Sequence, residues 1–287
     1  MSKSALRWIC VLTAVLAAGP LVASLVAQLP GPSGSSDSSF LWSAAPVRGL
    51  ALLLLVAAAT GVGAVLSAKL AGFTFGLGAG AVITAWSAFR TGGVADMVRE
   101  NAGGSPVTFV IEGAVFAVLG VAIVMATWAQ ARPRADREKQ PSFRQALRNL
   151  RKPPGLAAIV AALAAAIVAS FLVAFEGLRG QAIFAAWAAG IAGGAAGGLA
   201  AGALGAERTP VFAPFVGVLL AAVVGPIIAM IVPGSGAFEE AALRGTLSGP
   251  AVLQPVDWLF GALLGVPTGV GWVAASLEQT AYAPESA

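Results

Sequence analysis

The sequence predicts an all-α polytopic integral membrane protein with about eight transmembrane helices. Three observations lead there. Of the 287 residues, 58% are apolar and only 10% charged, against about 25% charged in soluble chains. Mean hydropathy is +0.86. Eight stretches are apolar enough and long enough to cross about 30 Å of hydrocarbon, which takes about 20 helical residues, and almost nothing between them is large enough to fold alone.

The predicted spans are 6–27, 50–68, 71–89, 107–129, 155–175, 182–204, 210–232 and 256–275. The first contains Gly19-Pro20. Its basic start and small residues before position 27 also resemble a signal peptide, but its apolar run exceeds the usual signal core of about 7–15 residues. The Ser- and Pro-rich stretch 30–39 reads as a solvated loop, after which Arg48-Gly49 opens the second span. Span three carries Gly72, Gly76 and Gly80, and span six carries Gly190, Gly194, Gly198 and Gly202. A spacing of four puts each set on one helix face, where missing side chains let another backbone come close. Pro226 and Pro267 interrupt spans seven and eight and, like Pro20, are expected to kink them. Two connecting segments, 94–100 and 238–244, mix acidic and apolar residues with a late Arg. Each reads as a turn or two of helix on the outer surface, a solvated connector or a lid over a cavity.

Basic residues set the orientation, because Lys- and Arg-rich short loops stay cytoplasmic. The connection 130–154 holds Arg132, Arg134, Arg137, Lys139, Arg144, Arg148, Arg151 and Lys152 against only Asp136 and Glu138. With that loop inside, both termini are cytoplasmic in a cell (inner or plasma) membrane, and 12 of the 17 Lys and Arg residues lie inside. From Ser142 onward, Phe143, Ala146, Leu147 and Leu150 follow helical spacing, with Arg144, Arg148, Arg151 and Lys152 on the other faces. This predicts an amphipathic helix lying on anionic headgroups of the inner leaflet. The pI near 9.8 therefore points to the lipid bilayer as partner rather than to nucleic acid. A protein partner or a second copy of the chain is also compatible with the sequence.

The chain has no His, one Cys (Cys10) and one Tyr. A His-based catalytic triad, a Cys cluster for zinc and a haem-attachment motif are thereby excluded. No phosphate-binding glycine loop, HExxH or GxSxG occurs. We expect no enzyme activity, no cofactor and no metal.

Half A, 1–129, and half B, 155–287, flank the linker 130–154 and resemble each other. At an offset of 145, Arg99 meets Arg244, Gly104 meets Gly249, Glu112 meets Asp257, and Leu119-Gly-Val121 meets Leu264-Gly-Val266. At an offset of 131, Arg48-Gly49 meets Arg179-Gly180. The expectation is two parallel four-helix repeats. The same register marks a candidate polar site: Glu112, Asp257, Arg99, Arg244, Arg48 and Arg179, all near the external ends of spans. Glu112 lies five residues past Val107, about 8 Å down the helix, and an acid at that depth needs an interior, a partner or water. The external arginines are its expected partners. The alternative is that the arginines snorkel to headgroups and that Asp257, beside Trp258, marks an interfacial boundary.

Two functions follow. A small permease- or channel-like protein for an unidentified solute predicts Glu112 facing an enclosed polar cavity, near an Arg or the Asp257 helix. A non-catalytic structural or accessory subunit of a membrane complex predicts a closed bundle with Glu112 at the headgroups or paired locally.

Overall fold

The computed structural model describes residues 3–31, 34, 38–100, 106–131, 143–175, 178–206, 212–231, 235–247 and 249–282. The segment 132–142, Gly104 and the side chain of Arg144 lie outside the described residues.

Among the described residues the chain is helical, without strands. Seven helices are long and apolar enough to span: Ala5–Val26, Pro46–Ala71, Val107–Gln130, Pro153–Val173, Arg179–Ala203, Ala213–Ile231 and Pro255–Ser276. An eighth apolar helix, Phe73–Ala88, is shorter. The protein is therefore an all-α polytopic membrane protein.

The first span is built from α1 (Lys3–Thr13), a π-helical turn (Ala14–Ala18) and α2 (Gly19–Val26). Pro20 has no N–H to give, and the wider turn just before it absorbs the disruption. Gly19 lies so close to the Trp86 ring that a side chain there would strike it. Next come α3 (Pro46–Ala71) and α4 (Phe73–Ala88), joined by Gly72 alone. Gly72 takes φ 99° and ψ 171°, a conformation essentially confined to glycine. α5 (Val94–Glu100) and α6 (Val107–Gln130) complete half A. α7 (Phe143–Leu150) precedes the second half, which holds α8 (Pro153–Val173), α9 (Arg179–Ala203), α10 (Ala213–Ile231), α11 (Ser235–Arg244) and α12 (Pro255–Tyr282).

Within the halves, α3 packs along α4 and α6, and α9 packs along α8 and α12. Between them, α10 lies on α6 and α4 lies on α12. α6 also meets α12, and the short α5 meets the short α11. Exchanging the two halves turns the α10–α6 pairing into α4–α12 and leaves α6–α12 and α5–α11 as they are.

Backbone contact holds the helices together, as expected where lipid supplies no hydrophobic drive between them. A Cβ on Gly190 would lie 2.0 Å from the Gly261 carbonyl oxygen, and one on Gly194 would lie 2.5 Å from that of Val266. From the other side, a Cβ on Gly261, Gly265 or Gly269 of α12 would lie 2.2, 2.5 or 2.1 Å from the carbonyl oxygen of Ala186, Trp187 or Ile191 respectively. Gly76 and Gly80 seat α4 against Ala64, Ala68 and Thr60 of α3. Two of the expected packing glycines need correction. Gly72 is a turn residue with open space at its Cβ position, and Gly202 faces open space near the end of α9, whereas Gly198 is buried in ordinary contact with Val273 of α12.

Candidate functional site

The polar chemistry gathers at one end of the bundle, opposite the end where α6 stops and α8 begins. Ser38, Gly92 and Gln254, from three connections between helices, are hydrogen-bonded there into one layer. The Gly92 N–H donates to the Ser38 carbonyl at 3.0 Å, and the Gln254 side-chain amide donates to the Gly92 carbonyl.

The segment 38–43 leaves that layer and turns into the bundle. Phe40 and Ser39 are wholly buried and Trp42 nearly so. Two aromatic contacts with α6 hold it: Trp42 stacks on Phe109 with centroids 5.0 Å apart, and Phe40 meets Phe116 edge-on at 5.6 Å. Glu112 falls between Phe109 and Phe116 on the same helix face. Irregular backbone at this depth survives only where protein satisfies its polar groups, and Glu112 does so. Its Oε2 accepts from the Ser39 hydroxyl and from the Leu41 N–H, both at 2.9 Å. Ser39 Oγ in turn accepts from the Trp42 N–H at 3.2 Å. Gly49 completes the fit, because a Cβ there would overlap the Phe40 carbonyl.

Asp257 is the second buried carboxylate. It is the third residue of α12, after Pro255 at the first position, and its Oδ2 accepts from the N–H of Gln254 at 2.8 Å. That is the reach-back half of a capping box. Arg179, at the start of α9, donates to both carboxylate oxygens, Nη1 to Oδ2 at 2.9 Å and Nη2 to Oδ1 at 2.6 Å. The same guanidinium donates through Nε and Nη2 to the Ala88 carbonyl at 3.2 and 2.8 Å. Ala88 ends α4, where carbonyls lack helical partners and the helix dipole favours a cation. One side chain thus ties the ends of α4, α9 and α12. Asp257 is fully buried and the Arg179 side chain is 15% exposed, so the pair is not a headgroup contact.

The structure separates the other candidates. Arg99 donates to Asp96 and to the Ala242 carbonyl, both at 3.0 Å, which joins α5 to α11. Arg244 pairs with Glu240 at 2.5 Å on an exposed surface. Arg48 donates to the Gln28 side chain at 3.3 Å, also exposed. None of these arginines reaches Glu112, which corrects the expectation that they are its partners. A hydroxyl and a backbone amide serve it instead. Arg48 and Arg179, matched by sequence register, occupy unlike environments.

Four buried polar atoms in this layer lack a hydrogen-bond partner among the described residues: Glu112 Oε1, Trp42 Nε1, Gln254 Oε1 and Trp258 Nε1. A cavity of about 290 Å³ opens between α5 and the connection leading to α12, lined by Ala95, Asp96, Arg99, Leu178, Leu247 and Val252. Glu112 is not among its walls. Among the described residues no three His, Cys, Asp or Glu side chains converge to hold a metal.

Sequence reasoning missed Ser39, Phe40 and Trp42, because a Ser-rich stretch after a span reads as solvent-exposed. The signal against that reading was Phe40-Leu-Trp42, an aromatic cluster too apolar for a free loop. It also missed the stripe Gly261, Gly265 and Gly269, whose spacing of four matches the stripes it did register. Compared with known proteins, the chain matches no family model, no curated protein and no solved structure.

Proposed function

We propose that this chain is a non-catalytic structural or accessory membrane protein, a closed helical bundle whose buried charges hold it together. The observation that carries this reading is the local pairing of a wholly buried Glu112 with the segment 38–43. The Arg179–Asp257 pair supports it, since both groups are engaged with helix ends. So do the span hydroxyls: Thr84, Ser87 and Thr127 donate to carbonyls of their own helices, and Thr60 bonds Thr84. The exchangeable pairings of the halves, with Glu112 and Asp257 each fixing the approach to its half's second helix, favour an origin as two parallel copies. The chain sits in the cell membrane with both termini and the basic linker cytoplasmic.

A second reading, a small permease- or channel-like protein for an unidentified solute, is favoured by one observation. Glu112 Oε1 is buried without a partner beside irregular backbone at membrane depth, a combination found where transporters bind solutes. Amide hydrogen exchange at Leu41 in the wild-type chain, reconstituted in bilayers, separates the two. Exchange as slow as that of the surrounding helices supports the closed bundle. Fast exchange at Leu41 with protected spans means that the segment opens, and overturns it in favour of the permease reading.

A further inference from the structure

The short helix α7 (Phe143–Leu150) carries an apolar stripe that the protein covers only in part. Leu150 packs against the cluster of Ala158, Ala201 and Ala213 where α8, α9 and α10 end on the linker side. Leu147, one turn earlier on the same stripe, is 40% exposed. The helix is held firmly at its Leu150 end. Arg151 and Lys152 N–H groups donate back to Arg148 and Asn149 carbonyls at 3.1 and 3.3 Å. Lys152 is then extended and Pro153 starts α8. Gly155 sits so near the Asn149 carbonyl that a Cβ would lie 2.3 Å from it, so the elbow fixes where α7 points. Arg148, Arg151 and Lys152 are exposed around the stripe, and residues 143–152 include no acid.

We infer that α7 is a docking surface for anionic phospholipid of the adjoining leaflet, with Leu147 at the headgroup–acyl boundary and Arg148, Arg151 and Lys152 on lipid phosphates. The elbow places α7 at the end of a span, so the stripe that runs off the protein at Leu147 continues towards the lipid surrounding that span. An amphipathic basic helix gains there from both apolar burial and surface potential. An acidic protein would satisfy the cations, but it would have to displace lipid already beside the helix.

The test is amide exchange over residues 143–152 of the full wild-type chain in nanodiscs, with phosphatidylcholine alone or with added phosphatidylglycerol. Exchange is expected to slow by about tenfold or more in the anionic discs. High salt and the double variant Arg148→Glu/Arg151→Glu should each remove the difference, with span amides protected throughout. Three results overturn the inference: equal exchange in both lipids, slow exchange that survives the double variant, and slowing by inorganic phosphate in phosphatidylcholine discs. The second would mean that protein contacts alone hold α7, and the third that it takes a free anion. A nanodisc presents the same lipid on both faces, so the outcome depends neither on the proposed orientation nor on the structural role.

Discussion

Arg179 and Asp257 lie 78 residues apart in the chain and close on each other through two hydrogen bonds of 2.9 and 2.6 Å. The pair is more than a bridge between α9 and α12, because Arg179 also takes the last carbonyl of α4. One side chain at the start of α9 thus answers the buried charge of Asp257 and adds to the Thr91 hydroxyl on the Ala88 carbonyl. The same design recurs at Glu112 without a cation, where the acid serves a hydroxyl and an amide of the connecting segment.

Removing one partner of this pair leaves a buried charge alone, which costs about 3–5 kcal/mol in proteins. Arg179→Met and Asp257→Leu are each expected to lower thermal stability in detergent steeply. The double variant should lose less than the sum of the two, since no lone charge remains. It should not recover fully, because the Ala88 carbonyl loses the Arg179 donors and keeps only those of Thr91. Melting curves of the four proteins in a double-mutant cycle check this; additive losses would mean that the pair is not coupled.

The α9–α12 seam gives a second test. Gly265 lies with its Cβ position 2.5 Å from the Trp187 carbonyl oxygen, whereas Gly202 meets nothing within 4 Å. Gly265→Ala must push two backbones apart and is expected to destabilise by about 1–3 kcal/mol. Gly202→Ala should stay within about 0.5 kcal/mol of wild type, as an open surface site does. Chemical unfolding in detergent reads both, and equal effects would show that the glycine spacing alone decides nothing.

The contrast between Gly265 and Gly202 also shows what the sequence made legible. Span number, class and the buried acids follow from hydropathy and the cost of charge in lipid, because those depend on composition along one segment. A glycine's role depends on which helix lies opposite, which composition does not encode. Gly190 and Gly202 belong to one stripe of four-residue spacing, yet only Gly190 has a backbone against it. The partners of Glu112 were hidden for a similar reason. Charge argued for arginines, but a carboxylate can be satisfied by donors on a neighbouring loop, and Ser39 and the Leu41 N–H carry no signal in a hydropathy trace.

Gly72 should be intolerant for a different reason. It has space for a side chain but holds φ 99° and ψ 171°, where any Cβ strains the backbone by about 1–3 kcal/mol. Gly72→Ala is therefore expected to destabilise the α3–α4 hairpin although it creates no clash with a neighbour. Thermal melting of the full chain in detergent reports it as a lower midpoint, and an unchanged midpoint would show that the turn relaxes freely.

Glu112 separates charge from hydrogen bonding as the means of holding the segment 38–43. Both of its bonds fall on Oε2, and a glutamine retains one carbonyl oxygen that can accept from the Ser39 hydroxyl and the Leu41 N–H alike. Glu112→Gln is therefore expected to keep Leu41 amide exchange slow. Glu112→Ala removes the acceptor, leaves the Leu41 N–H unpaired in the interior and opens space between Phe109 and Phe116. An unpaired buried donor costs about 1–3 kcal/mol, so Leu41 exchange should accelerate by about tenfold or more and the melting temperature should fall. If Gln behaves like Ala, negative charge rather than acceptor geometry anchors the segment. Glu112 would then interact with a cation or with the dipoles around it, and the hydrogen bonds at Oε2 would be secondary.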